Sequence, residues 1–349
     1  MHSTSTSTTS LLDTVTLRFR VWLARVTFGV ICFFQAMRSD PPEYTKFLPQ
    51  RRFTIQSTSS PRKNQYSCLR AQKFRQSKTI SSAPQLSWYG PTIDQCSGFM
   101  LDSMHGTDAD FCRMISDQTG AIVLDCGYAK GPEYPFPAAP NDVKDAIEYA
   151  LANTEGYFDT SRITISGFSA GGALAITANA SLPKGTLKGA LLILGVTFVL
   201  KPAPIIAIIA IYPSVDLSLK YAIEHPPVMS EGNVNSFPSS FTEMARDSYI
   251  PPGTDMKDPR LSPVNVPISL LPEHILLVVC EEDSLRDDAV EYGRRLKAEG
   301  VKVIVKEMKR IVHYWDKWAK IGEDSLTGIA KREAYQASID MLNLVFKSY

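Results

Sequence analysis

The stretch that most constrains this chain is residues 163–172, ITISGFSAGG. Ile163 and Ile165 alternate as in a buried strand, and the small-residue run from Gly172 to Ala178 reads as a helix. Between them, residues 167–171 spell G-x-S-x-G. Strand, sharp turn and helix give that pentapeptide a chemical meaning, because the turn strains its central residue and presents the side chain outward. The flanking glycines let strand and helix approach closely. Ser169 is therefore predicted at a helix N-terminus, where developing negative charge is favoured.

A serine hydroxyl is a poor nucleophile until a base takes its proton. The base is usually histidine, held in the right tautomer by a carboxylate. In a parallel sheet such groups come from loops at the carboxyl ends of strands. On a strand–turn–helix scaffold they follow in the order serine, acid, histidine. The chain has five histidines. His2 lies in a Ser/Thr-rich start, His105 and His225 lie in loops, and His274 enters a strand from its amino end. His313 alone follows a strand, 301–305, downstream of an acidic loop. That loop, 281–288 (EEDSLRDD), comes directly after the apolar run 274–280. Asp283, Glu281, Glu282 and Asp287 compete for the orienting role. Asp287 and Asp288 also suit the first turn of a helix.

The surrounding pattern fixes a fold class. A helix is predicted over 108–119 and a strand over 121–125. A rigid Pro-rich loop, 132–137, precedes a helix capped by Asn141, with Val143, Ala146, Ile147, Ala150 and Leu151 on one face. Residues 287–298 and the C-terminal stretch bearing Tyr335, Ile339, Leu342 and Phe346 read as further helices. Strands alternating with helices argue for an α/β architecture, a mainly parallel central sheet covered on both faces. Residues 52–57 read as an edge strand.

With 37 basic and 36 acidic residues, the charge gives no argument for a nucleic-acid partner. Six scattered cysteines, with no C-x-x-C pair or Cys/His cluster, indicate neither a disulfide framework nor a metal site and suit a reducing, cytoplasmic compartment. No metal or organic cofactor is expected. Residues 1–10 read as a disordered tail. Residues 11–37 are apolar but interrupted by Arg18, Arg20 and Arg25, and their longest uncharged run, 26–34, is too short for a bilayer. A helix packed on the protein is the expectation, with a mitochondrial or membrane-associated segment as the alternatives. Residues 189–212 are long enough to span, but Pro202 and Pro204 break them into two strand-like pieces where such a sheet needs one.

Together these pieces resemble the hormone-sensitive-lipase-like branch of the α/β-hydrolase superfamily, in the form common in fungi, over roughly residues 97–345. Residues 128–137 (YAKGPEYPFP) resemble Y-R-L-A-P-E-x-P-F-P, residues 167–172 G-[DF]-S-A-G-G, and residues 258–263 D-P-R-L-S-P. Residues 283–288 (DSLRDD) are similar to D-P-L-R-D-E, and residues 312–316 (VHYWD) to the histidine loop. The resemblance implies an α/β-hydrolase fold with Ser169 as nucleophile, His313 as base and Asp283 as acid. The oxyanion donors would be Ser97, Gly98 and Ala170, and the substrate a small carboxylic ester. It also implies a cap built from an N-terminal helix within residues 1–50 and an insertion at roughly 218–257, over a catalytic domain spanning 51–349.

Two stretches depart from the family pattern. The oxyanion motif, H-G-[GS]-G-F, survives only as Ser97, Gly98 and Phe99. Read without a gap, Gln95 and Cys96 stand for His-Gly. Read with one, residues 88–90 (WYG) begin it and residues 91–96 are an insertion. The second departure is the extra apolar piece at 189–204.

Overall fold

The computed structural model describes residues 11–38, 51–58, 61, 63–69, 92–95, 98–101, 107–154, 156, 159–182, 190–193, 196–199, 205–218, 230 and 239–348. Eight strands form the main sheet: β1 (Arg51–Gln56), β2 (Lys63–Leu69), β3 (Thr92–Gln95), β4 (Val123–Cys126), β5 (Ile163–Phe168), β8 (Ile205–Ile211), β9 (His274–Glu282) and β10 (Lys302–Val312). Their order is β1-β2-β4-β3-β5-β8-β9-β10. The pairs involving β2 are antiparallel and the pairs from β4 to β10 are parallel. The predicted edge strand is β1.

Strand alternation sorts the core into two layers. Along β9, Ile275, Leu277 and Val279 join one apolar cluster, and Leu276, Val278 and Cys280 the other. Helices α3 (Ala138–Ala152), α4 (Ala170–Thr177) and α6 (Arg286–Ala298) cover the first face through Val143, Ile147, Leu174 and Leu296. Helices α2 (Ala109–Thr119) and α7 (Leu326–Ser348) cover the second through Phe111, Ile115, Tyr335 and Leu342.

Helix α1 (Leu11–Arg38) lies on the protein through the buried Val21 and through Arg25. Arg25 donates to the carbonyls of Met100 and Gly131, each at 2.8 Å, and pairs with Glu133. Among the described residues, no helix is long and apolar enough to cross a membrane. A further helix, α5 (Ser239–Tyr249), stands beside α1.

Two local expectations need correction. Helix α3 begins at Ala138, so Asn141 lies inside its first turn and is not its cap. Pro137 holds the cap position and Pro140 falls in the first turn, where a missing N–H costs nothing because that turn's donors have no helical partner. Strand β10 runs to Val312, well past residue 305, with a register shift between Met308 and Val312. The apolar piece at 189–204 is, as read from the sequence, one strand-like piece more than the main sheet uses. Its described parts, β6 (Ala190–Ile193) and β7 (Val196–Val199), pair with each other as a separate antiparallel hairpin, and β8 alone fills the central position.

Candidate active site

The end of β5, the start of α4 and the loops after β9 and β10 meet at one point. Ser169 sits between β5 and α4 at φ 54°, ψ −116°, outside the backbone regions that L-residues favour. Its amide donates to the carbonyl of Ile211 at 2.8 Å, which ties the turn to the neighbouring strand. A Cβ on Gly167 would lie 2.2 Å from the carbonyl oxygen of Gly171, so glycine is what lets the strand and helix close on the turn.

His313 is buried on the loop after β10. Its Nε2 lies 3.0 Å from Ser169 Oγ and its Nδ1 2.6 Å from Asp283 Oδ2. Asp283 follows directly on β9, and its other oxygen accepts the Leu285 amide at 3.0 Å. Of the competing acids, Asp283 is the one seen hydrogen-bonded to the imidazole among the described contacts. Glu281 takes Lys309 Nζ at 2.9 Å and the Arg310 amide at 2.8 Å. Glu282 accepts the Ser230 hydroxyl, and Asp287 pairs with Arg286. His274 is the first residue of β9, far along the strand from its carboxyl end. His2, His105 and His225 lie outside the described residues, as does Ser97.

Gly98 and Ala170 line the cavity into which Ser169 and His313 open. Its apolar wall includes Phe99, Met100, Leu101, Leu217, Phe241 and Leu285. Residues 92–95, read on one alignment as part of an insertion, form β3, paired parallel with both β4 and β5. The loop that carries Gly98 therefore leaves directly from a central strand.

Sequence reasoning missed a buried polar layer behind the imidazole. The Tyr212 ring packs 4.6 Å from the His313 ring, and its hydroxyl donates to Asp316 Oδ1 at 2.6 Å. Tyr335 donates to Asp316 Oδ2 at 3.0 Å. Lys317 bridges Asp316, at 2.8 Å, and Asp108. Two carboxylates thus share one ammonium. Burial pushes Asp108 up to about 6, because Lys317 offsets only part of the desolvation. Burial acts on Asp316 in the same sense, but Lys317, Lys331 and the tyrosine hydroxyl outweigh it and hold that carboxyl below its ordinary value. Burial and the Asp316 charge push Tyr212 well up, which keeps it a neutral donor. The only sequence signal for this layer was an Asp-Lys pair three residues after His313.

The sequence model for the alpha/beta hydrolase fold matches residues 96–317, more than half of the chain. The chain belongs to this family. An ethyl acetate hydrolase of Pseudomonas putida is 26% identical over 234 residues, covering 66% of this chain and 67% of that one. A carboxylic ester hydrolase, LipN, of Mycobacterium tuberculosis is 26% identical over 244 residues, covering 66% of this chain and 58% of that one. The match therefore spans about two thirds of the first relative's length and less of the second's. Among solved structures, a hyperthermophilic esterase from the archaeon Pyrobaculum calidifontis is similar with TM-score 0.69 and 21% identity, covering 93% of each chain. That likeness extends to the sheet and helices of the α/β-hydrolase fold.

Proposed function

We propose that the chain is a serine hydrolase of carboxylic esters, working through an acyl-enzyme. The observation that carries this reading is the unbroken chain of contacts from Ser169 Oγ through His313 to Asp283, at 3.0 and 2.6 Å, at the mouth of an apolar cavity. Asp283 accepts from Nδ1–H and so leaves the Nε2 lone pair facing the serine. Ser169 attacks the acyl carbonyl while His313 takes its proton. The tetrahedral oxyanion forms beside the N terminus of α4, where the Ala170 amide points out of the first helical turn. Gly98 supplies the opposing donor, with Ser97 beside it. His313 returns the proton to the departing alcohol and then activates water to release the acid.

The substrate is an uncharged ester of short or medium acyl length, since the wall of the cavity is apolar. A secondary-metabolite ester fits that description. Helices α1 and α5 act as the cap over the cavity, supported by their mutual contact and by Phe241 and Ala245 of α5 in the wall. The fungal form of the family is our reading from the motifs, and the cytoplasm our reading from the cysteine pattern. A second reading is a weakly catalytic binding protein, favoured by the lost His-Gly of the oxyanion motif.

Hydrolysis of p-nitrophenyl acetate, butyrate and octanoate by the purified chain, beside Ser169→Ala, separates the two. Hydrolysis that disappears in the variant supports the esterase. A folded wild type that turns over none of the three esters supports the binding protein.

A further inference from the structure

The loop that lost its family motif is held by a cation that the motif does not include. Lys130 is 5% exposed, and its ammonium donates to the carbonyl of Gly98 at 2.8 Å. Tyr128 donates its hydroxyl to the same oxygen at 3.0 Å. The ammonium also sits 3.2 Å from the centre of the Tyr128 ring. The next two carbonyls are anchored as well: Phe99 accepts the Gly131 amide at 2.9 Å, and Met100 accepts Arg25 Nε at 2.8 Å. The clamp is itself fixed, because Ala129 N donates to the buried Asp142 at 2.8 Å. In the pattern that residues 128–137 resemble, Y-R-L-A-P-E-x-P-F-P, the position of Lys130 holds leucine. The chain has therefore put a buried charge where an apolar side chain would do, beside a loop whose own sequence is altered.

We infer that Lys130, with Tyr128, is a positioning residue for the oxyanion loop. The inference rests on the esterase reading above. A peptide unit is planar and trans, so fixing the Gly98 carbonyl fixes the plane that follows Gly98 and, through the φ and ψ of that residue, restrains the Gly98 amide proposed as a donor. Gly98 needs this external hold because it sits at φ +78°, in a region where glycine has no side chain to restrict it. A hydrogen bond from a charged donor is roughly twice as strong as a neutral one, and it is stronger still away from water. The buried ammonium adds a positive potential behind the loop, which favours the oxyanion over the neutral ester. Both effects act on the oxyanion side of the loop, while the wall residues Phe99 and Met100 keep their own carbonyl anchors, from the Gly131 amide and Arg25. This predicts loss in kcat with KM preserved.

The test compares Lys130→Met, Lys130→Arg and Tyr128→Phe with wild type, each checked for fold by its thermal midpoint. Two readouts are taken: kcat and KM for p-nitrophenyl butyrate, and the inhibition constant of an alkyl trifluoromethyl ketone. In that adduct Ser169 Oγ bonds to the ketone carbon, His313 takes the hydroxyl proton, and the carbonyl oxygen becomes the oxyanion. Lys130→Met is expected to lower kcat ten- to a hundredfold, with KM within twofold, and to weaken the ketone by a similar factor. Lys130→Arg, which keeps the charge, restores most of both. Tyr128→Phe is expected to lower kcat three- to tenfold.

A folded Lys130→Met with kcat and ketone affinity within twofold of wild type overturns the inference. So does a loss that appears equally in Lys130→Arg and in KM, which marks a packing contact only. If Lys130→Met does not fold, Tyr128→Phe decides, and an unchanged kcat there overturns the inference. A wild type without Ser169-dependent hydrolysis overturns the esterase reading and this inference with it. An active wild type beside an equally active Lys130→Met overturns this inference alone.

Discussion

Replacing Gly167 by alanine tests whether the turn geometry itself is what makes Ser169 reactive. The added Cβ would lie 2.2 Å from Gly171 O, 2.3 Å from Gly171 C and 2.8 Å from Gly172 N. All three are backbone atoms, so no side chain can rotate away. Even a tight contact of about 3.2 Å, still short of the ~3.5–4.0 Å optimum, requires the start of α4 and the end of β5 to part by about 1 Å. Helix α4 has nowhere to go, since all eight of its residues are buried. The shift therefore falls on the turn and moves Ser169 relative to His313, whose Nε2 is now 3.0 Å from its hydroxyl. Misplacement of about 1 Å costs on the order of a hundredfold in rate, or about 2.7 kcal/mol of barrier. Overpacking adds about 1–3 kcal/mol of lost stability. The assay is kcat/KM on p-nitrophenyl butyrate with a urea unfolding curve for each protein. Gly322→Ala is the control, because a Cβ there meets nothing within 4 Å. Gly167→Ala within threefold of wild type in kcat/KM would refute the reasoning, since the turn would then tolerate a displacement that the proposed chemistry does not.

Four further outcomes follow from other parts of the molecule. Asp283→Asn should lower kcat by about 10⁴ through the wrong histidine tautomer, while Glu281→Gln, paired with Lys309 at the surface, stays within threefold; equal losses would mean that the acid is misassigned. Asp108 binds a proton near pH 6 when folded and near its ordinary 3.8 when unfolded, so the folded state holds the extra proton between those values. Wild type should therefore gain stability relative to Asp108→Asn as the pH falls from 7 toward 4, read from urea unfolding at three pH values; a slope of the opposite sign would sink the assignment. Asp316→Asn, by contrast, should cost about 3–5 kcal/mol at pH 7, because it removes one of the two carboxylates that hold the buried Lys317 ammonium. Ala190 and Val199 are paired across the β6–β7 hairpin, so their Cα atoms are about 5 Å apart. Replacing residues 190–199 by two glycines should leave Ser169-dependent hydrolysis within threefold, and loss of folding would show that the hairpin supports the core.

What could be read from the sequence was local chemistry with a fixed spacing. The stretch 163–172 implied the turn because the strand period of 2, the glycines and the small-residue helix act within ten residues, and the positive φ at Ser169 is the strained form of that turn. The order Ser169, Asp283, His313 was legible for a topological reason: loops at the carboxyl ends of β5, β9 and β10 meet on one edge of a parallel sheet. The four acids at 281–287 could not be ranked from composition, because which carboxylate reaches the imidazole depends on where β9 ends, and it runs two residues past the last apolar position. The polar layer behind His313 was illegible for a stronger reason. Asp108, Tyr212, Asp316 and Tyr335 come from four separate elements, and each alone resembles a surface or core residue of its type. Burial turns them into a network, because a carboxylate in low dielectric must find donors or give up its charge. The same logic applies to Lys130. In sequence it is one more lysine in a loop, and it acquires meaning only when Gly98, 32 positions away, offers it a carbonyl in the interior. Groups that act on the reacting atoms are therefore recognisable by motif in this chain, whereas groups that hold those residues in place depend on packing between distant elements.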